Sequence, residues 1–454
     1  MHSTRQTGSY GAVNILGRMA KLARPSPRRT AAVACAAVVV VCLVLGVVLV
    51  PFSLTEAAVA RLTSDSATSP VIATVTTGSR PQSVAFDPDD GAVYVSNLGS
   101  NNMTVISGVN NQIVATIPLG TQPLTPAFDP SSGNMYVPNS FSNSVSVVLG
   151  TNVIAQITTP NDPVTPVVDP LTGDVYVPQA FNFSLSVVSG TTNRIIATIP
   201  AGFGVWTPVI DPRNGDIYIP SLDSSNITVA STATQSVVTT LHVGKFPQGP
   251  AYDPVNGDVY VANEDSNNVS VISGATNKIV ASIPVGYGPD PVLVDPVSGN
   301  VFVANQYNSS LTVISGATNQ VLEWVAVGAF PVTPAYDPLT DQVLLPEVNE
   351  SVICALSASS GAPIGSFSVS QGAGTPEYDS QNQAFYSTTD SIPGVVVFGA
   401  NTAGDLNPGC PAPPAVGSTP SPASPAWIGP VIVLGVLLTI VVLAVILYER
   451  RYGS

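Results

Sequence analysis

The sequence predicts an all-β fold, a β-propeller of about eight four-stranded blades, with seven as the alternative count. The first observation is an Asp-Pro step that recurs at Asp87, Asp129, Asp169, Asp211, Asp253, Asp295 and Asp337, with a degenerate eighth at Asp379-Ser380. The second is the spacing, which runs 42, 40, 42, 42, 42, 42 and 42 residues. The third is that apolar and small polar residues alternate within each unit, as half-buried strands require. A period near 40 built from short strands marks a radial array whose units bury their faces against one another.

In chain order, residues 1–30 form a basic tail that holds Arg5, Arg18, Lys21, Arg24, Arg28 and Arg29. Residues 31–52 carry no charge, and 22 residues at about 1.5 Å each cross a hydrocarbon core of roughly 30 Å. This run is expected to be a transmembrane helix or signal anchor. The other reading is a signal peptide cleaved after Ala58-Val59-Ala60, but its apolar core is longer than such peptides usually carry. Residues 53–70 are a short linker.

The array opens at Val71-Ile-Ala-Thr-Val, which matches the fourth strand of a unit, and closes at Val395-Val-Val-Phe-Gly, which matches the third. Within a unit the first strand resembles Val84-Ala-Phe-Asp, and a glycine turn such as Pro212-Arg-Asn-Gly-Asp follows it. The second strand places an aromatic seven residues after the Asp: Tyr94, Tyr136, Tyr176, Tyr218, Tyr260, Phe302 and Tyr386, with Leu344 the exception. Third strands resemble Val269-Ser-Val-Ile-Ser and fourth strands Ile279-Val-Ala-Ser-Ile. Six units carry proline three positions before the Asp: Pro126, Pro166, Pro208, Pro250, Pro334 and Pro376. Proline cannot donate to a ladder, so this strand is expected innermost, with its free edge toward the channel. If the opening strand completes the last blade, one strand against three seals the ring.

Second strands continue as Tyr94-Val-Ser-Asn97, Tyr136-Val-Pro-Asn139, Tyr260-Val-Ala-Asn263 and Phe302-Val-Ala-Asn305. With the Asp-Pro step and the glycine turn, residues 71–400 resemble the YVTN-repeat β-propeller family, known from bacterial periplasmic proteins and archaeal surface-layer and cell-surface proteins. The resemblance implies a secreted or surface-exposed propeller, commonly of seven blades, so a count of eight departs from the family pattern.

Beyond the array, residues 401–426 are rich in Pro, Ser and Ala and cannot bury a core, which suits an extended stalk. Residues 427–448 form a second uncharged run of transmembrane length, and residues 449–454 hold Arg450 and Arg451. Basic flanks retained inside place both termini in the cytoplasm and the propeller outside the cell membrane. Between the two runs lie 27 of the 28 acidic residues and only six basic ones, a balance that repels nucleic acid.

The expected partners are therefore the bilayer and a surface protein or glycan. No cofactor is expected. Of two histidines, His2 lies in the tail, which leaves His242 alone for any histidine chemistry. The repeat Asp residues do not form a dense loop of alternating carboxylates, so they read as Asx-turn residues and no metal is expected. Cys354 and Cys410 are the only cysteines outside the apolar runs. A disulfide is open to them, whereas the register of Cys354 with Val105, Val147, Val187, Val271 and Val313 favours a buried thiol. Six N-x-[ST] sequons, at Asn102, Asn182, Asn226, Asn268, Asn308 and Asn349, are candidate glycosylation sites on an exported loop or copies of one repeat consensus.

Comparison of the loops unit by unit separates the two ends of the ring. One end repeats Asp-Pro-x-x-Gly and Ser-Gly-x-x-Asn with little change. The other end varies and carries Phe141, Phe181, Phe183, Phe203, Trp206, Phe246, Tyr287, Tyr307 and Phe330. Uniform turns suit a scaffold, while exposed aromatics on varied loops suit recognition or simply cover the blade ends. The expected function is a membrane-anchored binding, adhesion or surface-layer-associated module. Propellers that resemble this one also include lactonases, quinoprotein dehydrogenases and copper reductases, so an exported enzyme is the alternative. The varied loops offer such chemistry little beyond Asp223, Lys245, Glu264, Asp265 and Asp290. A purely structural wall component is the third reading.

Overall fold

The computed structural model describes residues 71–369, 372–389, 393–399 and 410. Both apolar runs, the two tails and the proline-rich stretch lie outside the described residues. Among those described, no helix is long and apolar enough to cross a membrane.

Thirty-two strands form eight antiparallel sheets of four. Seven sheets are continuous in sequence. Blade 1, for example, runs Pro81–Asp87, Ala92–Asn97, Asn102–Ser107 and Ile113–Pro118. Blade 8 takes Glu377–Asp379, Ala384–Thr389 and Gly394–Gly399 from one end of the array and Val71–Thr76 from the other. Val75 pairs with Val395 and Thr74 with Val396, so the opening strand closes the ring as its fourth-strand pattern predicts. The eighth blade is complete, and the alternative count of seven is excluded.

Each sheet buries one face against the next blade. Tyr260, Val269, Val271 and Ile283 of blade 5 pack on Val292, Val294, Val301 and Val303 of blade 6. The seam repeats this with Tyr386, Val395 and Val397 against Val84, Phe86, Val93 and Val95. Burial of one such aliphatic or phenyl side chain stabilises by roughly 1.5–3 kcal/mol, so the interblade layers dominate the stability of the ring. First strands lie innermost. Blade 1 has Val84 where six other blades carry proline, and its inner strand runs seven residues without a break. Blade 2, with Pro126, keeps only Ala127–Asp129 and resumes as a bridge from Pro123 to Asn139. The missing N–H removes a ladder bond there, and blade 6, with Val292 at this position but Pro291 beside it, is interrupted in the same way.

The interval of 40 also has a local cause. In blade 2 the third strand ends at Leu149 and the fourth begins at Asn152, a hairpin turn shortened around Gly150, whose φ is 55°.

On the uniform end, the buried tyrosine of each second strand reaches across to the third-to-fourth turn of the next blade. The Tyr136 hydroxyl donates to Asn193 Oδ1 at 2.8 Å, Tyr218 to Asn277 at 2.6 Å, and Tyr260 to Asn319 at 3.0 Å. These asparagines adopt left-handed φ of 54°, 51° and 56°, a conformation Asn tolerates well. The two exceptions in the repeat follow from this geometry. Phe302 faces a turn without the usual Asn; Tyr94 and Tyr176 do so too and donate to the Gly150 and Thr232 carbonyls, but at the blade 7 turn the carbonyls of Ala358 and Ser359 already accept from Asn300 Nδ2. Leu344 precedes blade 8, whose third and fourth strands come from opposite ends of the array and share no hairpin turn. A tyrosine hydroxyl there would lack the acceptor its counterparts use.

Candidate functional site

The uniform end is built of interlocking backbone turns. All eight repeat Asp residues accept a hydrogen bond from the amide two positions on, at 2.7–2.9 Å, which is the geometry of an Asx turn. Gly274 sits so close to Asp211 of the preceding blade and to the Gly257 carbonyl that a Cβ would collide with both. The consensus thus serves the scaffold, although Asp169 Oδ2 and Asp253 Oδ2 are buried without a hydrogen-bond partner among the described residues. Among the described residues, no group of three His, Cys, Asp or Glu side chains is arranged to hold a metal ion.

The asparagine of the Tyr-Val-x-Asn motif is equally structural. Asn97 Nδ2 donates to Asn102 Oδ1 and Thr104 Oγ1, and Asn263 Nδ2 donates to Asn268 Oδ1 and Ser270 Oγ. Two of the sequons, at Asn102 and Asn268, thus supply acceptors for a buried amide. Asn226 is half-buried and lies 3.1 Å from His242 Nδ1. Asn182, Asn308 and Asn349 are exposed in the loops. In blade 7 the motif position is Glu347, and the partner positions are Val352 and Cys354. Carboxylate and apolar partners change together here. Glu347 is buried and accepts from the Gly328 amide at 2.8 Å, and burial pushes its carboxyl up to about 7.

Cys354 is fully buried and bonded to Cys410, with Cα atoms 5.3 Å apart. Burial and bonding are compatible at this site. The strand pairing corrects the sequence register by one residue: Ala355, paired with Leu344, takes the place of Val105 and Val271, while Cys354, paired with Leu345, stands at the hydroxyl position of Thr104 and Ser270 and is a disulfide rather than a free thiol, with Cys410 packed upon it.

The varied end holds every aromatic assigned to it by sequence. Phe141, Phe181, Phe183, Trp206, Tyr287, Tyr307 and Phe330 are exposed, while Phe203 and Phe246 are half-buried. Phe203 gathers Phe183 at 4.9 Å and Phe181 at 6.3 Å between ring centroids. Tyr307 and Phe330 stand 6.4 Å apart. Phe141, Trp206, Phe246 and Tyr287 have no ring stacked on them among the described residues.

Backbone conformation sharpens the contrast between the ends. One position in the loop that enters each blade is left-handed: Arg80, Gln122, Asp162, Gly204, Phe246, Gly288, Phe330 and Gly372. Three blades meet this requirement with glycine, which has no Cβ to strain. Phe246 at φ 55° and Phe330 at φ 58° meet it with a bulky ring, and Phe183 does likewise at φ 50° in the second-to-third loop. A non-glycine residue held there costs on the order of 1 kcal/mol and persists where something else requires the side chain.

Inward from these loops lies the mouth of the central channel. Corresponding inner-strand positions there are Gln82, Leu124, Val164, Trp206, Gln248, Asp290, Val332 and Gly374, so Trp206, Gln248 and Asp290 stand on consecutive blades. Trp206 is 36% exposed. Gln248 Nε2 donates to Glu264 Oε2 at 2.6 Å, and the Tyr307 hydroxyl donates to Glu264 Oε1 at 2.6 Å. Thr333 Oγ1 donates to Asp290 Oδ2 at 2.9 Å. Burial pushes the Asp290 carboxyl up to about 6 against the opposing hydrogen bonds from Thr333 and Gln306. The next position along the strand is a hydroxyl in six blades, Ser83, Thr125, Thr165, Thr207, Thr333 and Thr375, and becomes Gly249 and Pro291 beside the network. A Cβ at Gly249 would lie 3.8 Å from the Thr207 carbonyl and 3.9 Å from Pro291, so adjacent inner strands are in contact. One residue deeper, Pro208, Pro250 and Val292 begin the wall of an apolar cavity of about 540 Å³.

Sequence comparison assigns the aromatics to this end but misses Gln248 and Thr333. The missed signal is a near-period: Tyr307 and Glu264, like Thr333 and Asp290, are 43 residues apart and meet across neighbouring blades.

No family model and no curated protein matches the sequence. Among solved structures, the chain is similar to hydrazine synthase of Kuenenia stuttgartiensis. The TM-score is 0.52 and the identity 15%, over 71% of this chain and 96% of that one. A likeness at that identity shows the propeller fold alone.

Proposed function

We propose that this protein is a cell-surface binding module that presents the varied-loop end of its propeller to a surface partner. The observation that carries this reading is the one-sided placement of exposed aromatics. They crowd the varied end, while the turn tips of the uniform end offer aliphatics such as Leu171, Val255 and Val297.

The topology supports a tether on the opposite side. Fourth strands begin, and third strands finish, at the uniform end, so both Val71 and Gly399 leave the propeller there. Apolar segments 31–52 and 427–448, acting as membrane anchors, would hold the uniform end toward the bilayer and turn the aromatics away from it. The YVTN resemblance of the repeat agrees with this surface setting. An exported enzyme is the second reading, favoured by the buried Asp290 carboxyl at the channel mouth.

The test is adherence of the purified full chain to intact cells of its own source. The triple variant Trp206→Ala, Phe246→Ala, Tyr287→Ala should lose adherence and keep its melting temperature. Replacement of Asn214 and Asn256 by Ala on the uniform end should leave it unchanged. Equal adherence of the aromatic triple variant and the native chain would defeat the proposal.

A further inference from the structure

The mouth of the channel on blades 4 to 6 has the chemistry of a carbohydrate site. We propose that Trp206, Gln248 and Asp290 bind a neutral sugar ring, so that the surface partner is a glycan. The inference rests on the reading of the varied end as a binding face and names its ligand class.

Small-molecule sites combine an apolar wall with a few fixed polar groups. The wall here is the rim of the 540 Å³ channel cavity at Pro208, Pro250 and Val292, two residues along the strands from Trp206, Gln248 and Asp290, which do not themselves line it; the cavity continues toward Pro170, Pro212 and Tyr252 at the uniform end. Above it, Trp206 presents the half-exposed aromatic surface on which the C–H face of a pyranose ring can lie. Gln248 and Asp290 occupy the same inner-strand position on the next two blades and supply directional hydrogen bonds to ring hydroxyls. Gly249 and Pro291 replace the hydroxyl side chains found at six other blades, so no side-chain hydroxyl stands next to Gln248 and Asp290 on their own strands.

The polar groups are held before any ligand arrives. Glu264 receives Gln248 Nε2 on one oxygen and the Tyr307 hydroxyl on the other, so it fixes the amide whose Oε1 remains the acceptor of this pair. Asp290 is anchored by Thr333 from the neighbouring blade. A rigid first contact of this kind reduces the ordering cost of binding.

The same hydrogen bonds argue against a cationic ligand. A metal ion or ammonium group needs anionic oxygens that converge on it, and both oxygens of Glu264 are committed to donors within the protein. Burial that favours the protonated form of Asp290 further lowers the negative charge offered at the mouth. A neutral hydroxyl-rich ligand uses Asp290 in either protonation state, since the carboxylate accepts and the acid also donates.

The experiment is a calorimetric titration of the full chain with maltohexaose, mannohexaose, cellohexaose and chitohexaose, with hexalysine as the cationic control. The expected result is a saturable change with at least one hexasaccharide and none with hexalysine. Trp206→Ala and Gln248→Ala should each weaken that binding roughly tenfold or more, as loss of an interface anchor does. Asp290→Asn, which keeps an acceptor for Thr333 and accepts and donates as the neutral acid does, should keep both the affinity and the melting temperature, and a loss of binding with Asn would overturn the neutral-ligand argument. Trp324→Phe, on an outer strand, should leave the affinity unaltered. A response to hexalysine alone, or hexasaccharide binding that survives Trp206→Ala and Gln248→Ala, overturns the assignment. If no hexasaccharide binds while cells still adhere through Phe246 and Tyr287, the glycan class falls and the binding face stands. If neither binds, both fall.

Discussion

The hydroxyl of Tyr386 donates to Asn111 Oδ1 at 2.6 Å, across 275 residues of sequence and across the seam where the array closes on itself. The bond joins the second strand of blade 8 to the hairpin turn of blade 1, just as Tyr218 joins blade 4 to blade 5 through Asn277. The seam is therefore locked by the same tyrosine-to-turn contact as the interior joints, in addition to the strand overlap. Tyr386 is fully buried, so its hydroxyl needs this partner.

Replacement of Tyr386 by Phe should cost about 1 kcal/mol, the ordinary net value of one such hydrogen bond. Asn111→Ala should cost a similar amount. The double variant should cost less than the sum, with a coupling energy of about 0.5–1 kcal/mol in a denaturant cycle. Leu344→Tyr should bring no gain, since blade 8 has no hairpin turn to receive it.

Much of this was legible before the structure. Asp-Pro spacing, proline three residues earlier and the strand types at the two ends of the array led to the eight blades, the inner strand and the overlap, because each is a backbone requirement stated by one residue type. The exceptions Phe302 and Leu344 were visible as letters but had no meaning until each tyrosine could be seen to serve the next blade. Loop comparison located the aromatics because the two ends of a propeller separate by strand order. It did not locate the pairing of Gln248 with Glu264 or of Thr333 with Asp290. Those contacts need the three-dimensional offset between adjacent blades, and Gln and Thr are too common in loops to stand out by type.

Removal of residues 71–76 should leave Gly394–Gly399 as a bare edge and strip the apolar cover from Val395 and Val397. The expected outcome is a large fall in melting temperature together with proteolysis at blade 8. A truncated chain that melts like the full one would contradict the seal.

Cys410 lies beyond the last strand, and its bond to Cys354 ties that segment back to blade 7. Cys410→Ser should lower stability by about 2–4 kcal/mol, the usual range for a disulfide that closes a long loop. A peptide that carries both cysteines should appear in non-reducing mass spectrometry and vanish on reduction.

Acid should favour the folded state. Burial holds the carboxyls of Glu347 and Glu377 up to about 7, above the ordinary value near 4.5. For a raised carboxyl the folded chain binds more protons than the unfolded chain between those two values. Stability is then fully present below about 4.5, falls as pH rises toward about 7, and levels off above it. Melting curves from pH 4 to 8 should show this slope, and Glu347→Gln, which keeps an acceptor for the Gly328 amide, should flatten part of it. A midpoint that climbs with pH across the same window would refute the argument.

The last prediction separates recognition from simple coverage of the blade ends. Phe246 and Phe330 hold left-handed backbone at a position that Gly204, Gly288 and Gly372 occupy in other blades. If the rings serve only as caps, their removal exposes the blade beneath, and stability must fall by the burial they supplied. If they serve a partner, Phe246→Gly and Phe330→Gly relieve about 1 kcal/mol of backbone strain each, offset by the greater freedom of glycine in the unfolded chain. The expected outcome is therefore a melting temperature unchanged or slightly raised, with adherence to cells reduced roughly tenfold or more. Phe246→Ala and Phe330→Ala keep the strain and lose the ring, so they should be less stable than the glycine variants and equally poor in binding. Glycine variants that melt well below the native chain would assign these rings to the scaffold and move the recognition surface inward to the channel mouth.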